Sequence, residues 1–149
     1  MSDCTSQNPL LLEDQLCFTL YSTSRMITKK YATILADMDI TYPQYLSLLV
    51  LWEQDGITIK TLAQYLELEP ATTTPLVQRL EKLDLITRKR SKQDERRVHI
   101  FLTDKGKQYR EKALQVPHDL GCALNADADQ AEALLVQIKA FKAKASSTL

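Results

Sequence analysis

At 149 residues, 44% of them hydrophobic and with only three glycines and five prolines, the chain suits one helix-leaning domain with a packed core. Its net charge of zero hides a polarised distribution: residues 79–110 hold eleven basic and five acidic side chains, a local +6 that leaves −6 elsewhere and points to a polyanionic partner. The three cysteines (Cys4, Cys17, Cys122) stand far apart with no CxxC pair and only two histidines, which argues against a zinc site or a disulfide framework; no metal and no cofactor is expected.

The chain starts on the polar stretch MSDCTSQNP, which lacks the basic-then-apolar layout of an export signal. No apolar run reaches the ~20 residues of a membrane-spanning helix, so a cytoplasmic protein is expected. Asn8-Pro9 reads as a helix cap followed by proline at the first helical position. A long periodic helix is then predicted over about residues 10–35, with Leu12, Leu16, Leu20, Ile27, Tyr31 and Leu35 along one stripe. Thr41 and Gln44 form a capping-box pattern ahead of YPQYLSLLVLW, whose nearly continuous apolar character places it at the centre of the domain.

Asp55-Gly56 ends that helix, and Thr58 caps a short one, IKTLAQYLEL. Glu69-Pro70 turns the chain into ATTTPLVQRLEKLDLI, so two short helices with a tight break give a helix-turn-helix signature. Leu76, Val77, Leu80 and Leu83 carry the core spacing of the second helix. Thr72, Thr73, Thr74, Gln78 and Arg79 fall on its N-terminal and outward side. From Ile86 the period changes to two: ITRKRS and RVHIFLT flank the turn cluster SKQDER, a β-hairpin with a charged loop. Thr103 caps a helix expected to break near Pro117 and Gly121. A last helix runs from about residue 127 to 145, with Ala131, Leu134, Leu135, Ile138 and Phe141 on one face.

A helix-turn-helix followed by a basic hairpin is a winged helix, mainly α with a small β wing. Such a fold reads double-stranded DNA with its second helix in the major groove. The three threonines can donate to phosphate or touch thymine methyls; Gln78 can pair with adenine, and Arg79 with guanine or phosphate. On the hairpin, Arg88, Lys89, Arg90, Lys92, Arg96 and Arg97 would release counterions from phosphate, and a wing-tip arginine can enter a narrow minor groove. Asp94 is spaced to orient the Arg96 guanidinium through a bidentate pair.

The string DERRVHIFLTDKG, in this helix order, resembles the D-x-R wing and following L-T-x-x-G of the MarR regulators. The resemblance covers about residues 10–145. It implies one MarR-type domain over residues 1–149: a winged helix at about 42–103, and terminal helices, about 10–36 and 104–145, interleaved between two subunits of a homodimer. The strong apolar faces of the terminal helices agree, since a core this small cannot cover them alone.

LCFTLYSTSRMITKKY followed by DITYPQYLSLLVLWE resembles the OhrR branch, sensors of organic hydroperoxide. That resemblance implies an oxidisable Cys17, held by Tyr31 and Tyr42 of the other subunit, and a resolving thiol at Cys122. By their surroundings alone, Cys17 and Cys122 also fit packed core thiols, Tyr31 and Tyr42 fit fillers at a core edge, and Tyr45 competes with Tyr42. Cys4 is assigned no role. The implied function is a repressor released from operator DNA when Cys17 is oxidised and joined to Cys122. The alternatives are a repressor controlled by a small phenolic ligand between wing and dimer domain, and a thiol peroxidase.

Overall fold

The computed structural model describes residues 10–94 and 96–147. The Asn8-Pro9 cap, Cys4 and Glu95 lie outside them. The first predicted helix is interrupted: Leu12–Asp14 form one 3-10 turn, Gln15 is extended (φ −84°, ψ 111°), and α1 spans Leu16–Ile34. Gln15 caps α1, its carbonyl accepting from Thr19 N at 3.0 Å, so Glu13 and Asp14 precede the positive end of the helix.

Helix α2 (Tyr42–Glu53) starts as its capping box predicts, with Thr41 N donating to Gln44 Oε1 at 2.9 Å. It is the central element, burying Tyr45, Ser47, Leu48 and Leu51. Gly56 takes a positive φ of 77° at the break and lies against Phe101, whose Cε1 would stand 3.0 Å from any added Cβ. Thr58 caps α3 (Ile59–Leu66), accepting from Thr61 N at 3.1 Å. Glu67, left-handed at φ 54°, closes α3, and α4 (Pro70–Lys82) begins on proline.

The wing is an antiparallel pair, β1 (Ile86–Arg90) and β2 (Val98–Leu102), in register from Ile86↔Leu102 to Arg90↔Val98. An isolated antiparallel bridge pairs Thr58 with His99 beside this two-stranded sheet. Asp55 ties the end of α2 to the wing, its Oδ1 accepting from Leu102 N at 2.8 Å. Leu35, Leu48, Leu51, Leu62, Val77, Leu80, Leu85, Ile86 and Ile100 form the buried centre, while Leu76 and Leu83 are only half-buried.

The C-terminal region departs from expectation. It forms three helices: α5 (Asp104–Ala113), α6 (Val116–Leu124) and α7 (Ala128–Ser146). The break falls at Leu114–Gln115, ahead of Pro117, because proline lacks the N–H that would continue the ladder and fits the first turn of a new helix. Gly121 does not break α6, which ends at left-handed Asn125 (φ 48°). Neither α1 nor α7 buries a single residue within this chain. Among the described residues no helix is long and apolar enough to cross a membrane.

Candidate functional site

Helix α4 presents Thr72, Gln78 and Arg79 as exposed side chains and Thr74 as half-buried. Thr73 is the exception and corrects the sequence expectation. It is fully buried, its Oγ1 donating to Glu69 O at 3.1 Å, because its place on the first turn faces the core alongside Val77 and Leu80. A side chain without exposed surface cannot reach a groove. Thr74 Oγ1 donates to Pro70 O at 2.9 Å and remains at the surface.

On the wing, Lys89, Arg90, Lys92, Arg96 and Arg97 are exposed, with Lys89 Nζ lying 5.2 Å from the centroid of the Phe101 ring. Arg88 differs: its guanidinium binds Glu81 of α4 at 2.6 and 2.7 Å, and its backbone N–H donates to the same carboxylate at 3.2 Å. Hydrogen bonding from Arg88 holds the Glu81 carboxyl below its ordinary value against the opposing effect of burial. Arg88 is thus the clamp between wing and recognition helix, with its charge already matched.

Asp94 also works differently from the expected bidentate pair with Arg96. Its Oδ1 accepts from the backbone N–H of Arg96 at 3.1 Å, while its Oδ2 lies 3.4 Å from Nε of Arg97. A carboxylate two residues upstream meets the backbone of a turn before it can reach back along a long side chain. Asp94 therefore sets the backbone at Arg96, and among the described residues no carboxylate pairs with that guanidinium.

The structure also joins to the expected residues two that the sequence reading missed, Lys60 and Gln64. Lys60 and Gln64 of α3, Pro70 and Thr74 of α4, and Arg96 and Arg97 of the wing line one groove of about 600 Å³. Lys60 and Gln64 are spaced i, i+4 just after the Thr58 cap, a signal of one shared polar face. The groove combines three cations with hydroxyl and amide donors, a chemistry suited to a phosphodiester backbone.

Cys17 is the second residue of α1, free and exposed. Tyr31 lies on the same helix, about 21 Å along the axis at 1.5 Å per residue, so the two cannot meet within one subunit. Tyr31 stacks obliquely on Tyr42 (centroids 4.3 Å apart) and lies 5.8 Å from Tyr45. Burial, together with the neighbouring Tyr42 and Tyr45, pushes the Tyr31 hydroxyl up to about 12. Burial raises Tyr42 and Tyr45 as well, so all three phenols stay protonated donors at neutral pH. Tyr45 is buried in the core, whereas Tyr42 opens onto a groove of about 570 Å³ that also takes in Thr19, Leu20 and Ile27 of α1 and Leu134 and Ile138 of α7. Cys122 lies on α6, free and exposed.

A family model described as transcriptional regulator SarA/Rot matches residues 29–113. The chain is 51% identical over 106 residues to the organic hydroperoxide resistance transcriptional regulator of Bacillus subtilis (strain 168), covering 71% of this chain and 72% of that protein. Among solved structures it is similar to AbfR of Staphylococcus epidermidis. The reduced, DNA-bound AbfR gives a TM-score of 0.74 at 32% identity over 89% of this chain and 93% of the other. Disulfide-formed AbfR gives 0.64 at the same identity, over 91% and 90%. A MarR transcriptional regulator from Methanosarcina mazei shares the fold, with a TM-score of 0.75 at 22% identity over 88% and 96%. The relatives are regulators, which leaves the peroxidase alternative without support. On its winged helix, its family match and its half-identical relative, the chain belongs to the MarR family of transcriptional regulators and is similar to the OhrR branch within it.

Proposed function

We propose that this regulator is a homodimeric repressor that holds operator DNA when reduced and lets go when organic hydroperoxide oxidises Cys17, which then forms an intersubunit disulfide with Cys122. The observation that carries the reading is the position of Cys17: an exposed thiol on an uncovered apolar helix, too far along that helix to meet Tyr31 of its own subunit. A second copy packed on α1 would bring its own Tyr31 and Tyr42, both protonated donors, to the sulfur. The thiolate is the nucleophile toward peroxide, and the product sulfenic acid condenses with a thiol. Similarity to a B. subtilis regulator of organic hydroperoxide resistance, and to a protein solved both reduced on DNA and disulfide-formed, supports the same reading.

DNA contact in this proposal comes from Thr72, Thr74, Gln78 and Arg79 of α4, and from Lys89, Arg90, Arg96 and Arg97 of the wing. Lys60 and Gln64 add backbone contacts. The test is a non-reducing gel alongside an operator mobility shift after stoichiometric cumene hydroperoxide. Wild type should form a covalent dimer and lose DNA, while Cys17→Ser should stay monomeric on the gel and bound to DNA. Peroxide-driven release in Cys17→Ser would overturn the proposal.

One observation favours a second reading, control by a small phenolic ligand. Tyr45, Leu49, Trp52, Ala113, Leu114 and Pro117 line a cavity of about 360 Å³ between α2, α5 and α6, with Glu53 and Arg110 at its polar side. Under that reading a phenolic compound releases DNA from Cys17→Ser as readily as from wild type.

A further inference from the structure

Helix α6 holds an arrangement around Cys122 that the switch itself does not require. His118 and Cys122 are one turn apart and share a face, with His118 Nε2 4.0 Å from Cys122 Sγ. The other ring nitrogen, Nδ1, lies 2.9 Å from the Gln115 amide and 3.5 Å from Asp119 Oδ1. Gln115 also donates to Asp119 at 3.1 Å, so amide, carboxylate and imidazole form one chain of contacts that ends on the sulfur. Asp127, the cap of α7, is the other ionisable group lining the open groove of about 810 Å³ that holds His118 and Cys122. α6 packs against α1 and α5, and among the described residues neither helix places an ionisable side chain in hydrogen-bond or ion-pair contact with His118 or Cys122.

We propose that His118 is the positioning residue of Cys122: the Gln115 amide, held by Asp119, donates to Nδ1, which leaves the ring proton on Nε2 to donate to the sulfur and favour its thiolate. An ordinary thiol is only a few per cent thiolate near pH 7, and the thiolate is the attacking species. The thiol proton leaves to solvent, and the thiolate, stabilised by the Nε2–H of His118, attacks the sulfenic acid sulfur of Cys17 of the partner subunit. The S–S bond forms as the S–O bond breaks, and the departing hydroxide takes up a solvent proton as water. Thiol and sulfenic acid thus become disulfide and water, with Cys122 oxidised and the sulfenic sulfur reduced.

The biological setting rests on the redox reading above, but the pair itself is read out on reduced protein without peroxide. Full-length Cys4→Ser/Cys17→Ser leaves Cys122 as the single thiol, and its alkylation by iodoacetamide is followed by mass from pH 6 to 10. His118→Gln in that background should slow alkylation roughly tenfold near pH 7, with the two rates converging near pH 10 where the thiol ionises unaided. Asp119→Asn should give a smaller loss of the same shape. His118 is exposed, so its replacement leaves packing intact, and circular dichroism checks the fold. Superimposable pH profiles for His118 and His118→Gln would overturn the inference. A shifted profile without any peroxide-induced disulfide in the wild type would sustain the pair and sink the redox switch instead.

Discussion

At the scale of single residues, neighbouring side chains of one type take different tasks. Thr72, Thr73 and Thr74 follow one another, yet only Thr73 is sealed inside, because a helix turns each successive side chain by about 100°. Thr73→Val should therefore leave operator specificity unchanged and cost about 1 kcal/mol of stability for the lost hydrogen bond to Glu69, measured by urea denaturation. Arg96 and Arg88 contrast in the same way. With no ion pair to its guanidinium among the described residues, Arg96 is exposed for DNA, and Arg96→Ala should weaken operator binding by roughly 1–3 kcal/mol. Unchanged affinity in a fluorescence titration would remove the wing tip from the interface. Asp94→Ala should cause a smaller loss, since it releases the turn backbone and Arg97 rather than Arg96 directly.

At the scale of elements, two of the joints that hold the wing can be tested directly. The first is Gly106 on α5, where an added Cβ would stand 2.0 Å from the Leu85 carbonyl oxygen. The same helix turn is tied to α2 by Trp52 Nε1 donating to Gly106 O at 2.9 Å. Gly106→Ala must push α5 off the bend at Leu85 that leads into β1, and should destabilise the fold by about 1–3 kcal/mol in a denaturant titration. The second joint is the Arg88–Glu81 clamp. Because the Glu81 carboxyl is held below its ordinary value of 4.5, its stabilising effect is complete above that pH and fades as pH falls through the folded-state value. Thermal melts of wild type and Glu81→Gln should differ most above about pH 5 and draw together in stronger acid. A constant gap across that range would mean that the carboxylate is not the titrating partner.

At the scale of the whole molecule, the dominant fact is apolar surface that the chain leaves open. On α1, Leu16, Phe18, Leu20, Tyr21 and Met26 are 39–59% exposed, and on α7 Leu134, Leu135, Val136, Ile138 and Phe141 are 40–61% exposed. Continuous apolar area on two long helices is the mark of an interface, and a second copy is the occupant the dimeric proposal requires. Light scattering at micromolar concentration should give twice the 17.0 kDa chain mass. A dimer also doubles the basic wing, so operator binding should fall steeply with salt. Six to ten phosphate contacts correspond to roughly three to five decades between 50 and 200 mM. A flat salt dependence would exclude the proposed DNA face.

How much was legible beforehand follows from the range of the forces involved. Caps, breaks and periods are local, so Thr41, Thr58, Thr103, Pro70 and the alternation from Ile86 onward located the helix-turn-helix and the wing from sequence alone. The break between α5 and α6 was legible through Pro117, though its place at Leu114–Gln115 and the continuity of α6 through Gly121 were not. Gly121 has nothing within 4 Å of where a Cβ would sit, so no contact there forces the helix apart. The inward turn of Thr73, the capture of Arg88 by Glu81 and the grouping of Lys60 and Gln64 with Arg96 and Arg97 depend on elements packing in space, which no local pattern encodes. The proposed redox site divides the same way. A resemblance singled out Cys17, Tyr31, Tyr42 and Cys122, but only the tertiary structure stacked Tyr31 on Tyr42 and half-buried both hydroxyls, which raises their pKa. Helix formation is decided within a few residues, whereas burial, ion pairing and ring stacking are decided by which distant segments the core brings together.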